Sequence, residues 1–279
     1  MSFVAGYAVP HPPLIIPDVG RGEEKQIQKT VDAYKEVARR VAEHKPDTII
    51  LTSPHAPAYY NAFAICPGKT LYGTMAKFRA PDAQAFANVD CEFVETAEAL
   101  AAQYGVPLMS SGWRDAPMDH ATLIPLYFIN QAYVNYQLVV IGLSGLPESV
   151  HYQLGLILQK VVQDLGRKTV FIASGDLSHK LKPDGPYGFA QEGPIFDSLI
   201  TEKFAKGDLA GIMKIDSEIA EGAAECGLLS FDIMAGALSG LNSKGELLSY
   251  EGPFGVGYGV AAFEVPEESG AAVDRETTE

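Results

Sequence analysis

Two of the six histidines in this 279-residue chain stand in matched settings. His11 lies in VPHPP and His55 in SPHAP, each at the exit of a short apolar run. A proline fixes its own φ and drives the residue before it into extended geometry. Pro10, Pro12 and Pro13 therefore stiffen the chain around His11, and Pro54 and Pro57 do the same around His55. Imidazole is the commonest protein ligand for metals, and two of them held still at strand exits point to a metal site. No HExxH spacing accompanies them, so two ordinary loop histidines are the competing reading.

Four further residues carry chemistry of the same kind. His179 ends SGDLSH, a small-residue turn in which Asp176 is near enough to orient an imidazole; a solvent-exposed turn histidine is the alternative. His120 follows Asp119, which suits a helix N-cap, so His120 falls in the first turn, where it either meets a ligand or packs on the core. Glu225 sits among Ala223, Ala224, Cys226 and Gly227, just before an apolar helix. A carboxylate there is costly to bury without a partner and suits a metal ligand, unless it is an exposed acid favoured by the helix dipole. Cys226 reads as a small buried residue, with ligation as its second reading. His44 and His151 fall on helical stretches amid polar residues and read as solvated.

The elements that must position these residues follow from periodicity. Strands are predicted at Val4–Val9, Thr48–Leu51, Leu138–Leu143, Thr169–Ala173 and Tyr258–Val265, with weaker ones at Ala62–Cys66 and Val106–Met109. Helices are predicted over 23–43, 92–103, 148–165, most of 188–214, and 221–241 entered through Glu225-Cys226-Gly227. Residues 67–92 read as an irregular pocket wall. Apolar strands alternating with helices predict an α/β three-layer sandwich, a mainly parallel central sheet with helices on both faces. Ligands of such sheets bind beyond the carboxyl ends of the strands, where His11, His55 and His179 fall.

Composition is that of an ordinary globular chain, 47% hydrophobic and 20% charged. No linker or repeat divides it, so residues 1–266 are expected to form one domain, and the acidic tail 267–279 to be disordered. The net charge of −14 comes without a basic stripe, which argues against nucleic acid and anionic membranes as partners. No signal sequence and no apolar run approaching ~20 residues is visible. The odd, scattered Cys66, Cys91 and Cys226 form no disulfide framework, and a cytoplasmic location is expected.

Taken in order, PHPPL, SPHAP, DHATLIPL, SGDLSH, ECG before a helix ending AGAL, and GPFGVGYG resemble the class III extradiol ring-cleavage dioxygenases. That superfamily also contains the Memo proteins, and within it the chain is most similar to the dioxygenase-like domain of AmmeMemoRadiSam system proteins. The resemblance covers about residues 3–265. It implies that His11, His55 and Glu225 bind Fe(II), that His179 is the acid–base histidine, and that His120 lies at the substrate. The substrates it implies are O2 and a catechol-like or aminophenol-like aromatic, and family members associate, so a homo-oligomer is allowed. In Memo-like relatives a cysteine lies in the cavity. If Cys226 faces the ion instead of Glu225, zinc or copper replaces iron, and the protein binds a metal or a partner without cleaving rings. Neighbours at a helix entrance point about 100° apart, so only one of the two faces the site.

Overall fold

A strand buried on both faces reads as a continuous apolar run, and the runs at residues 3, 48, 137 and 169 become the middle of a sheet. The computed structural model describes residues 2–113 and 116–266. In chain order it contains β1 (Phe3–Val9), α1 (Pro17–Gly20), α2 (Gln28–His44), β2 (Thr48–Ser53) and β3 (Phe63–Ile65). A hairpin of β4 (Thr70–Met75) and β5 (Ala80–Val89) follows, then α3 (Cys91–Gln103), β6 (Leu108–Met109) and α4 (His120–Ile129). The second half runs β7 (Gln137–Gly142), α5 (Glu148–Leu165), β8 (Thr169–Ser174), α6 (Glu192–Lys206), α7 (Leu209–Ile212) and α8 (Ser217–Ala223). It closes with α9 (Leu228–Ala237), β9 (Lys244–Glu251) and β10 (Tyr258–Glu264).

The strand order is β4-β5-β7-β2-β8-β1-β10-β9. The five strands from β5 to β1 are mutually parallel, and β4, β10 and β9 are antiparallel additions at the two edges. β3 runs antiparallel along the outer end of β7, with β6 beside it. The sandwich is therefore as expected, on a sheet that is mixed at its margins. Side chains alternate between the faces of a strand. On β2, Thr48 bonds Asp90 at the start of α3, while Ser53, an odd number of residues on, bonds Asp119 at the start of α4. One face thus carries α2 and α4, and the other α3, α5, α6 and α9. α5 and α9 meet at backbone contact: a Cβ on Gly155 would lie 2.1 Å from the Ile233 carbonyl oxygen.

Three expectations are corrected. Residues 67–92 are not an irregular wall but include the β4–β5 hairpin. β5 buries Ala80, Ala83, Ala85, Ala87 and Val89 between exposed residues, a period-two pattern written mostly in alanine, which has little strand preference. The helix expected from 221 to 241 is broken: α8 ends at Ala223, Ala224 turns left-handed (φ 53°), and α9 starts at Leu228. His151 is fully buried rather than solvated, edge-on to Phe63 and hydrogen-bonded near Ser144. β9 is an addition that the apolar pattern does not announce. The tail expectation for 267–279 lies outside the described residues.

Candidate metal centre

Because β2, β8 and β1 are adjacent and parallel, their carboxyl ends deliver three loops side by side. Val9 pairs with Ser174, and Thr52 with Ala173, so His11, His55 and Asp176 leave the sheet at the same level. The proline brace is anchored from behind, where the Tyr34 hydroxyl of α2 donates to the Pro10 carbonyl. Asp119 caps α4 through the Thr122 N–H and also accepts from Ser53, which fixes His120 over the end of β2.

The turn 174–179 is zipped to the α8–α9 connection. The Cys226 N–H donates to the Asp176 carbonyl, the Asp176 N–H donates to Cys226 Sγ (3.3 Å each), and the His179 N–H donates to the Ala223 carbonyl. A third strap comes from the glycine-rich turn before β10, where Gly257 N–H donates to the Ser178 carbonyl. The motifs SGDLSH, ECG and GPFGVGYG are therefore three pieces of one structure.

Hydrogen bonds assign the tautomer of two rings. Ser174 Oγ lies 2.8 Å from the Ala121 carbonyl, to which its single proton must go. It is then an acceptor for His11 Nδ1–H at 3.1 Å, leaving the lone pair on His11 Nε2. His179 Nδ1 lies 2.5 Å from the Ala224 carbonyl, an acceptor only, so the His179 lone pair is on Nε2. His11 Nε2 is 3.2 Å from His55 Nε2 and 3.6 Å from Cys226 Sγ. His120 stacks on His55 (ring centroids 4.4 Å, 28°) and stands edge-on to His11 at 5.4 Å.

The electrostatics are those of a site suited to a cation. Burial, then the neighbouring His55 and His120, holds the His11 imidazole neutral, well below its ordinary value. His120 is lowered by burial first and His55 second. Burial, then the Asp176 charge, pushes the Cys226 thiol well above its usual range. Asp176 is itself raised by burial, against the His11 N–H that donates to its Oδ1 at 2.6 Å. The His11 Nε2 lone pair thus faces His55 Nε2 and Cys226 Sγ, a position that a shared proton fills in the metal-free protein and that a cation could take in its place.

His11, His55 and Cys226 offer ligand atoms that all lie within 4.8 Å of one another. Metal–nitrogen bonds of about 2.05 Å and a metal–sulfur bond of about 2.3 Å at tetrahedral angles require edges of roughly 3.3 and 3.6 Å, which the His11–His55 edge of 3.2 Å and the His11–Cys226 edge of 3.6 Å match. Glu225 does not join them. Its Oε2 accepts the Leu228 N–H at 2.6 Å, satisfying the first turn of α9. Burial raises this carboxyl to about 7. Of the expected site residues, the structure thus gathers His11, His55, His120 and Cys226, sets His179 in the adjoining turn, and turns Glu225 to its helix. Sequence reasoning missed Ser174, whose serine at a strand end carries no signal of its own, and Phe78, which lies edge-on to His120 at 5.3 Å.

The model of the family described as the catalytic LigB subunit of aromatic ring-opening dioxygenase matches residues 5–261. A curated protein of Clostridium acetobutylicum, CA_C1420, is 37% identical over 271 residues, which is 95% of this chain and 58% of that protein. The chain thus spans little more than half the length of this relative. The crystal structure of the uncharacterized protein JW3007 from Escherichia coli K12 is similar with a TM-score of 0.62 at 16% identity. That match covers 93% of this chain and 99% of the other, and it shows the fold.

Proposed function

Because the chain belongs to the family of the catalytic LigB subunit of aromatic ring-opening dioxygenases, whose members are metal-dependent, we propose that His11, His55 and Cys226 hold one transition-metal ion. The observation that carries this reading is the Cys226 sulfur 3.6 Å from His11 Nε2, while the Glu225 carboxylate is committed to the Leu228 N–H. A thiolate beside two imidazoles favours zinc or copper over the two-histidine, one-carboxylate iron arrangement. The protein is then Memo-like: it has the dioxygenase scaffold and a metal centre that binds a small ligand or a partner without opening a ring. Bound there, the ion supplies a Lewis acid with coordination positions left for a ligand's oxygens. A cytoplasmic setting, where thiols stay reduced, suits this centre. The acidic balance of the chain gives nucleic acid and anionic membranes no part in it.

The protein's own residues do the rest. Ser174 holds the His11 ring so that Nε2 faces its neighbours. Asp176 fixes the backbone at His11 through its N–H. His120 stacks on the exposed His55 and stands edge-on to His11, and the half-buried Phe78 packs edge-on to His120.

A second reading has its own observation: the Ala224 carbonyl takes the His179 Nδ1–H and leaves Nε2 as the ring nitrogen without that bond, and His120 stacks against His55. With Fe(II) bound, these are the groups of an extradiol dioxygenase acting on a catechol-like or aminophenol-like aromatic with O2. His179 Nε2 would take a proton from the substrate hydroxyl, and His120 would stand at the substrate. One experiment separates the two readings. Metal analysis of the purified chain is followed by anaerobic Fe(II) loading and a panel of catechols and 2-aminophenols, monitored for yellow ring-opened product. Bound zinc or copper and a colourless panel is the expected result; yellow product from the iron-loaded chain replaces the first reading with the second.

A further inference from the structure

Of the carboxylates around the metal centre, Glu225 and Asp119 are committed. Glu225 is turned to the Leu228 N–H, and Asp119 accepts from the Ser53 hydroxyl, the Thr122 N–H and the Thr122 hydroxyl. Asp176 keeps one oxygen free. Its Oδ1 accepts the His11 N–H at 2.6 Å, whereas its Oδ2 has no hydrogen-bond donor among the described residues. That Oδ2 lies 4.0 Å from His11 Nε2, the ring nitrogen that faces His55 and Cys226.

The backbone on either side holds this side chain in place. The Gly175 N–H donates to the Val9 carbonyl, and the Asp176 N–H and carbonyl are both bonded to Cys226. The residue is buried, and burial raises its carboxyl against the pull of the His11 N–H and then of His179, His120 and His55. Three imidazoles are therefore within electrostatic reach of Asp176, and the fourth belongs to the residue it is bonded to. Yet Asp176 is not among the three groups whose ligand atoms lie within 4.8 Å of one another. It stands beside the ion's own ligands, next to whatever else the ion holds.

An ionised carboxylate oxygen only accepts hydrogen bonds. A ligand that keeps an N–H or O–H on its coordinating atom satisfies Oδ2, whereas a small anion placed there meets a like charge, which weakens binding. Selection at the centre then acts through protons on the ligand as well as through affinity for the metal.

We propose that Asp176 is the specificity residue of the centre: its Oδ2 accepts a hydrogen bond from the ion's exchangeable ligand, so the centre takes ligands with a proton on the coordinating atom and turns away small anions. This rests on the reading that His11, His55 and Cys226 hold an ion.

The test is a visible-absorption titration of the cobalt(II)-loaded chain, which needs no turnover. Its probes are hydrazine, whose bound nitrogen keeps its N–H groups, and azide, which has none; the pH is alkaline enough to leave hydrazine largely uncharged. Asp176→Asn keeps an oxygen for the His11 N–H and puts an amide N–H where Oδ2 was, exchanging acceptor for donor at nearly constant shape. The ratio of azide to hydrazine affinity is expected to rise by roughly tenfold or more in Asp176→Asn, with azide tightening and hydrazine weakening. A ratio unchanged to within about twofold, or an equal loss for both probes, overturns the assignment and leaves the metal centre standing. An Asp176→Asn chain that takes up no cobalt also overturns it, because the carboxylate is then needed for the ion itself. Azide binding the native chain more tightly than hydrazine overturns it without any variant. A native chain that takes up no cobalt removes both the assignment and the centre.

Discussion

Which of two neighbouring side chains faces a cation is decided by where their hydrogen bonds go. Glu225 uses its carboxylate on the Leu228 N–H, and Cys226 has only the Asp176 backbone and the imidazoles around its sulfur. Cys226→Ala is therefore expected to lose bound metal, whereas Glu225→Gln should keep it and lose about 1 kcal/mol or less of stability, since an amide oxygen still caps the helix. Metal-to-protein ratios after dialysis decide between them, and the reverse pattern would restore the carboxylate as ligand. Ser174→Ala removes the acceptor that fixes the His11 tautomer, and a 10–100-fold loss of metal affinity is expected by analogy with other outer partners of ligating histidines. An unchanged affinity in a competitive chelator titration would mean the ring is held by packing alone. His11 and His55 were legible in the sequence because proline marks them. The choice between 225 and 226 was not, because a helix entrance rotates about 100° per residue and its start is uncertain by that much.

At the scale of elements, the centre depends on two turns from distant parts of the chain touching at their backbones. A Cβ on Gly175 would lie 2.1 Å from Gly227 Cα, and neither partner is a side chain that can swing away. Gly175→Ala is therefore expected to separate the 174–179 turn from the Cys226 turn, lowering the melting temperature and weakening metal binding together. A variant that melts and binds as the native chain does would show that the contact is slack. The glycines of SGD and ECG were visible as motif residues, but their mutual contact was not, since nothing local links positions so far apart in the chain. The helices α5 and α3 and the strands β2, β7 and β8 were legible from period and apolar runs. The β4–β5 hairpin was not, because its buried face is alanine, and so the turn that carries Phe78 to His120 stayed hidden.

For the molecule as a whole, buried acids make stability depend on pH. Asp197 on α6 braces the 174–179 turn from behind, accepting from the Ser178 N–H and the Tyr250 hydroxyl. Burial, the larger cause, outweighs these bonds and raises its pKa from 3.8 to about 6. A carboxyl raised on folding binds its proton more tightly in the native state. Its contribution is complete below the unfolded value near 4 and is lost as pH climbs through about 6, a change of up to about 3 kcal/mol. Asp197→Asn has no such proton, so its urea-unfolding free energy relative to the native chain should rise between pH 4 and pH 7; a constant difference would mean that Asp197 titrates normally. The parallel core could be read from alternating strands and helices, but the antiparallel edge β10–β9 could not, because β9 is half-exposed and charged. No helix among the described residues is long and apolar enough to cross a membrane. The Clostridium acetobutylicum relative extends well beyond the matched region.

The most direct test of the central claim is X-ray absorption at the metal edge of the loaded protein, read for the atoms bound to the ion. Two imidazole shells and one sulfur at about 2.3 Å are expected. A coordination sphere of nitrogen and oxygen alone, with the Cys226 thiol free to react with a thiol reagent, would contradict it.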